Sequence, residues 1–344
     1  MSFTETKIIL KTSNKINLFY SFKISDVKFL SGSCSIIKNP ENLEEFILNL
    51  RCINYEIINN NYISRLKKIN KEIFVTINKI IKIDNNYKII DENNLLIPYF
   101  MNTLLSNKFK PHKIIYGIED MRIFDFNGKI KIIGTHQNND LMTGIVTGEY
   151  EYSKKMLQNI NFIKPSFNYQ EVEKNWVYFD SHGKLQIIYK WYPLQICEID
   201  ENNNNLNLLK EIDMPPFFKN ARGSTCGVHY NDEIWFISHF NLDGYYSHFF
   251  VVFDKNMNLK KFSKIFYFEG YKIEFCIGFC IDDNGNFIIP YSINDANTTI
   301  GIYDRSTINN LKWMYITNKR KGESLDLLLD LKDSNNRKHN LKSR

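Results

Sequence analysis

Short apolar stretches separated by polar turns run along most of this chain, and few of them carry the i, i+3, i+4 spacing of a helix. One unit recurs: a short strand, a polar turn, then an apolar strand. Residues 122–126, the turn Asn127-Gly128 and residues 129–135 make one such unit. Residues 176–179, His182-Gly183 and 184–191 make a second, and 226–230, Asn231-Asp232 and 233–240 a third. The fourth is 275–281, Asn284-Gly285 and 286–292. Asn-Gly and its relatives suit tight hairpins because they accept positive φ at little cost. The turns recur at roughly fifty residues, the period of a propeller blade. A weaker unit precedes them: residues 34–37, the turn Asn39-Pro40-Glu41-Asn42, and 46–55. The gap from it to Asn127 is too long for one blade. Residues 56–94 are therefore expected to add strands or an asparagine-rich excursion, with strand-like runs at 72–77 and 79–83. Residues 43–50 admit a short helix, but a strand at 46–54 matches the other units. The pattern predicts an all-β fold, a five-bladed β-propeller over residues 1–317. From residue 318 to 344 the chain becomes polar and basic, with a short helix expected at 324–332 and disorder after it.

Composition narrows the function classes. At 344 residues and 43% hydrophobic, the chain can bury a substantial core. A net charge of +6 mildly favours anionic ligands, but no RNA-binding fingerprint or long basic helix accompanies it. Nucleic acid is not expected as a partner. The six cysteines (34, 52, 197, 226, 276 and 280) form no zinc-type pairs and are expected to be reduced, mostly buried thiols. Residues 1–5 are polar, no signal-peptide pattern follows, and no apolar run is long enough to span a bilayer. A soluble, cytoplasmic protein is expected.

The chemistry-bearing residues gather at one place in the repeat. Just before the leading strand of each unit stand Glu119-Asp120-Met121-Arg122, Glu173-Lys174-Asn175-Trp176, Asn220-Ala221-Arg222-Gly223 and Lys272-Ile273-Glu274. In a propeller these positions converge on one mouth of the central channel, where ligands bind. Carboxylates facing basic groups suit a substrate that carries hydroxyls and a phosphate. Each residue also has a simpler reading. Glu119 and Asp120 could cap a turn or pair with Arg122, Lys174 could be a solvated charge, and Arg222 could serve a structural turn. His239, on an apolar strand, could be a satisfied core histidine. Trp176 could stack on a sugar or pack in the core, and Asp295 could close a turn. There is no nucleophile elbow, Walker loop or dinucleotide glycine pattern, and the histidines lack metal-ligand spacing. No metal and no cofactor are implied.

At these residues the chain resembles glycoside hydrolase family 130, the mannoside phosphorylases and related enzymes on a five-bladed β-propeller. Gly117-Ile-Glu-Asp-Met-Arg-Ile123 is similar to its Glu-Asp-Pro-Arg motif. Glu173-Lys-Asn-Trp176 and Arg222-Gly-Ser-Thr225 resemble its Lys-Asn and Arg-Gly-Gly-Thr-Pro segments. Ile237-Ser-His-Phe240 resembles its strand with a phosphate-binding histidine, and Phe46-Ile-Leu-Asn-Leu-Arg51 its first-blade strand ending in arginine. The segments 274–278 and 291–295 are similar to the fifth blade of relatives found with glycosyltransferases. The likeness runs from about residue 33 to 303, with Met121, Ser224 and Cys226 departing from the motifs.

The resemblance implies Asp120 as general acid/base with Glu119 beside it. It implies Lys174, Arg222 and His239 around a phosphate; Asn175 is expected with them on the phosphate or donor group, and Arg51, Arg122, Trp176, Glu274 and Asp295 around the substrate. Inorganic phosphate or a nucleotide-sugar donor would be the partner of the sugar. The expectation is an inverting glycosyl-transfer enzyme, a glycosyltransferase in glycan synthesis first. A mannoside-type glycoside phosphorylase is the alternative, and a non-catalytic propeller that binds glycans or proteins a second one.

Overall fold

The computed structural model describes residues 7–316, except 19, 25, 60, 69–70, 95–112, 138–142 and 168–169. The tail expected at 318–344 lies outside the described residues. The fold is all-β and propeller-like, built from antiparallel meanders. Ser21–Ile24, Val27–Asn39, Asn42–Ile53 and Lys71–Asp84 form the first, with Ile89–Asn94 at its edge. Glu119–Phe126, Lys129–Gln137, Thr143–Glu151 and Met156–Pro165 form the next. It joins Val177–Ser181, Lys184–Trp191, Leu194–Asp200 and Asn205–Ile212 through a two-residue parallel contact. Glu233–Leu242, Tyr245–Asp254 and Leu259–Ser263 follow, led by Arg222–Gly223 and Val228–Tyr230. The last sheet pairs Phe287–Ile293 with Asn297–Tyr303, and Asn14–Leu18 completes it, tying the start of the chain to its end.

The hairpins form where the turn chemistry predicts. Asn127 and Gly128 have φ of 54° and 77°, and His182 and Gly183 have 52° and 77°. Two successive positive φ values match the right-handed twist of the flanking strands. Residues 43–50 are strand, within Asn42–Ile53. The two strand-like runs expected at 72–77 and 79–83 are one strand, Lys71–Asp84, which pairs with Asn42–Ile53 along most of its length. The extra hairpin of this region is Tyr55–Ile58 with Asn61–Ser64.

The leading strands are the irregular ones, and they pack on one another. Ser35 Oγ accepts the Ile123 amide, Ser33 Oγ donates to Asp120, and the Arg122 guanidinium donates to the carbonyls of Gly223 and Ser224. Residues 275–281, expected as one strand, are two short ones, Glu274–Phe275 and Cys280–Ile281. The break has a steric cause: a Cβ on Gly278 would lie 2.7 Å from the backbone nitrogen of Ile36, so the two backbones run in contact. Residues 224–227 leave the sheet in the same way, and the strand expected from 226 begins at Val228.

Apolar faces fill the spaces between sheets. Phe179, Trp191, Phe236 and Phe253, all nearly or fully buried, meet edge to face or tilted at ring separations of 5.5–6.4 Å. Each such ring contributes about 1.5–3 kcal/mol by leaving water. All six cysteines are buried and unpaired. Among the described residues no helix is long and apolar enough to cross a membrane.

Candidate active site

A cavity of about 240 Å³ opens where the leading strands meet, and its two walls carry opposite charge. The acidic wall depends on a bulge. Glu119 pairs with Thr135 and Arg122 with Ile133, so three steps on one strand span two on its partner. Asp120 absorbs the extra residue at φ 47°, a left-handed conformation that costs a non-glycine residue about 1 kcal/mol. In a regular strand, Glu119 and Asp120 would point to opposite faces. Here both reach Arg51: Nη2 lies 2.7 Å from Glu119 Oε1 and Nη1 2.8 Å from Asp120 Oδ1. Arg51 is only 4% exposed and also donates to the Tyr55 hydroxyl at 3.1 Å. Ser33 Oγ donates to Asp120 Oδ1 at 3.0 Å.

Asp295 completes this wall. It sits with Asn294 in a turn where both have positive φ, and its Oδ2 accepts the Tyr55 hydroxyl at 3.3 Å. Burial pushes its carboxyl up to about 6, opposed by Arg51 and reinforced by Asp120 and Glu119. Burial likewise raises Glu119, opposed by Arg51. A raised carboxyl favours the folded state at low pH and loses that contribution as pH rises through its folded value. Asp295→Asn should therefore be more stable than the native chain at pH 8, by up to about 3 kcal/mol for a shift of about two units. The gain should vanish below about pH 3, where the native carboxyl is protonated in both states. Urea midpoints of both proteins across this range read the effect. A variant weaker at every pH would mean that the charged carboxylate stabilises the fold.

The basic wall comes from the other side of the ring. Lys174 and Asn175 precede Val177–Ser181, and Asn175 turns the chain at φ 64°. A Cβ on Gly223 would fall 2.5 Å from the Asn175 carbonyl oxygen, so only glycine lets the two cation-bearing segments touch. Arg222 pairs in register with His239. Lys174 and Arg222 are both exposed, and among the described residues neither side chain has a hydrogen-bond or ion-pair partner. His239 is 2% exposed. Its Nδ1 lies 2.8 Å from Ser224 Oγ and its ring stacks on Tyr246 at 5.7 Å. Burial, then the neighbouring His248, Arg222, Arg122 and Lys174, hold its imidazole well below the ordinary range. It is neutral at pH 7, so Nε2 can offer a hydrogen bond without adding charge to the cationic wall.

Of the residues singled out in the sequence, Arg51, Glu119, Asp120, Lys174, Asn175, Arg222, His239 and Asp295 line this cavity. Arg122, Trp176 and Glu274 do not, and each is engaged elsewhere. Arg122 is 1% exposed, with its guanidinium on the carbonyls of Asp120, Gly223 and Ser224. It staples two leading strands. Trp176, also 1% exposed, donates to Glu173 at 3.3 Å and packs edge-on against Tyr189 at 5.1 Å. The carboxylate of Glu274 is fully buried and accepts the backbone amides of Phe268, Glu269 and Tyr271. Three amides on one carboxylate make a turn anchor and leave little capacity for a ligand.

Sequence reasoning missed Tyr55, Tyr62 and Tyr246, which line the cavity along with Thr135, Thr143, Val172 and Phe275. Tyr62 comes from the extra hairpin and is 40% exposed at the rim. Nothing local marks these three among the chain's twenty tyrosines. Among the described residues no group of three or more His, Cys, Asp or Glu side chains is arranged to hold a metal ion.

No protein-family model matches this chain, and no curated protein matches its sequence. Solved structures do match. A β-1,2-mannobiose phosphorylase from Listeria innocua, solved with β-1,2-mannobiose, aligns at a TM-score of 0.53 and 13% identity. The alignment covers 85% of this chain and 98% of that one. A second structure, reported for the family 130 mannoside phosphorylases and hydrolases that target β-1,2 mannosidic linkages in Candida mannan, aligns at 0.54 and 10% identity. It covers 88% of this chain and 91% of its own. A GDP-Man-dependent mannosyltransferase from Leishmania mexicana aligns at 0.51 and 13% identity, over 90% and 94% of the two chains. The chain therefore has the fold of the mannoside phosphorylases of glycoside hydrolase family 130 and of a related mannosyltransferase.

Proposed function

We propose that this chain is an inverting glycosyl-transfer enzyme on a five-bladed propeller, and that it is a glycosyltransferase in glycan synthesis. One observation carries the reading: two exposed cations without a partner among the described residues, Lys174 and Arg222, share a small cavity with the Arg51-bound pair Glu119 and Asp120. A cavity of about 240 Å³ suits a single sugar ring better than an extended chain. Displacement at an anomeric carbon passes through an oxocarbenium-like state and needs one acid or base at the sugar oxygen. Asp120 takes that role. As the acceptor hydroxyl attacks C1, its proton passes to Asp120 and the C1–O bond to phosphate breaks. The phosphate leaves with the bonding electrons, held by Lys174, Arg222 and the neutral His239. Opposed walls put attack and departure on opposite faces of the sugar, so a single displacement inverts the anomeric centre. Arg51 fixes both carboxylates, and Asn175 and Asp295 supply polar contacts for sugar hydroxyls.

The same cations suit inorganic phosphate, which favours a glycoside phosphorylase as the second reading. The fold neighbours include both activities: one is named as a phosphorylase and another as a GDP-Man-dependent transferase. Product analysis separates them. The protein is incubated with a mannose-type disaccharide plus phosphate, and separately with nucleotide sugars plus glycan acceptors. Glycan growth at the expense of a nucleotide sugar supports the transferase. Sugar 1-phosphate formation with no nucleotide-sugar turnover rules it out.

A further inference from the structure

Next to the sugar-sized cavity lies a larger cleft of about 790 Å³, within the range of sites that hold small organic ligands. The two spaces share Val172, Lys174, Asn175 and Arg222. Lys174 and Arg222 therefore stand at a junction and not at a dead end. Beyond the shared residues, the cleft adds Lys190 and Lys219, together with the ring of Tyr192, 39% exposed. Lys219 is exposed and has no side-chain partner among the described residues. Lys190 lies over the Tyr189 ring at 5.5 Å. The one acidic side chain in the lining, Glu173, is buried. It is occupied by the Trp176 indole, the Tyr189 hydroxyl and the Gln170 amide. Among the described residues, four cations thus border a polar cleft with no free carboxylate, and their summed field favours an extended polyanion.

We propose that this cleft holds the nucleoside diphosphate end of the sugar donor, which rests on the glycosyltransferase reading and says where the leaving group lies. The phosphate bonded to C1 sits at Lys174 and Arg222. The second phosphate meets Lys190 and Lys219, and the base lies against the ring of Tyr192. Inorganic phosphate would use only the junction. A neutral glycan in the outer cleft would leave Lys190 and Lys219 with nothing to pair.

Calorimetry on the full chain tests this, using GDP, UDP, ADP, pyrophosphate and inorganic phosphate at one salt concentration. At least one nucleoside diphosphate should bind about tenfold or more tighter than inorganic phosphate, the equivalent of about 1.4 kcal/mol. The double variant Lys190→Met/Lys219→Met should lose about tenfold for that nucleotide and change little for inorganic phosphate. Tyr192→Ala should weaken the nucleotide and leave pyrophosphate unchanged. Circular dichroism and the urea midpoint confirm that the variants fold. Equal losses for nucleotide and phosphate would overturn the assignment, as would nucleotides binding no tighter than phosphate. If phosphate still binds and is lost in Arg222→Ala, only the cleft assignment fails and the phosphorylase reading stands. If neither ligand binds and no sugar is transferred in the product analysis, the glycosyl-transfer reading fails as well.

Discussion

Arg51→Met is expected to destabilise the protein by roughly 3 kcal/mol, far more than loss of a surface ion pair. The arginine is 4% exposed and holds two carboxylates at 2.7 and 2.8 Å. Methionine keeps much of the apolar stem, so the change is mainly one of charge. It leaves Glu119 and Asp120 side by side, and it removes the donor to the Tyr55 hydroxyl. Breaking a buried pair costs about 3–5 kcal/mol because the surviving charge is stranded. The lower end applies here because the side chains of both carboxylates remain 25% exposed. The penalty should depend on pH with a definite sign. Burial already raises the Glu119 carboxyl against the pull of Arg51, and loss of Arg51 removes that opposition. A more strongly raised acid destabilises most at high pH, so the penalty should be larger at pH 8 than at pH 5. Urea unfolding at the two pH values reads both effects. A loss under about 1 kcal/mol at both would place this trio among ordinary solvated pairs.

Much of the fold was legible because hairpin chemistry is local. Asn127-Gly128 and His182-Gly183 need positive φ, and alternation on either side fixes which face is buried. The breaks in the leading strands were not legible. Gly278 reads as an ordinary small residue in an apolar run, and only the approach of residues 35 and 36 from a distant sheet explains the interruption. The long strand Lys71–Asp84 looked like two runs for a related reason: its pairing with Asn42–Ile53, and not its own composition, sets its length.

The site divides along the same line. Lys174, Arg222 and Asp120 were found because they stand at or just before the starts of leading strands, and chain position is a local property. Arg122, Trp176 and Glu274 occupy equivalent positions, yet the backbone turns them away from the cavity. The bulge at Asp120 is decisive for Arg122, since one extra residue changes which face the next side chain takes. Its partners, Gly223 and Ser224, lie about a hundred residues away, beyond the reach of any spacing rule. Tyr62 and Tyr246 were missed because the extra hairpin and the His239 strand pair carry them in from outside the repeat pattern.

The central claim is that Asp120 moves a proton at the sugar oxygen while cations across the cavity hold phosphate. Asp120→Asn isolates that step. Asparagine keeps an oxygen to accept from Ser33 and Arg51, so the bulge and the cavity walls should persist. What it cannot do is exchange a proton in the transition state, a contribution worth about 10²–10⁴ in rate. The stability of the variant should change little, because Arg51 retains Glu119. Turnover and donor affinity should therefore separate. The measurement is the turnover rate and donor dissociation constant of native and Asp120→Asn protein, with the substrate pair that product analysis identifies. A fall in turnover of about 10³ with donor affinity within about threefold is the predicted result. Turnover equal to that of the native chain, in a folded variant that binds donor normally, would contradict the account.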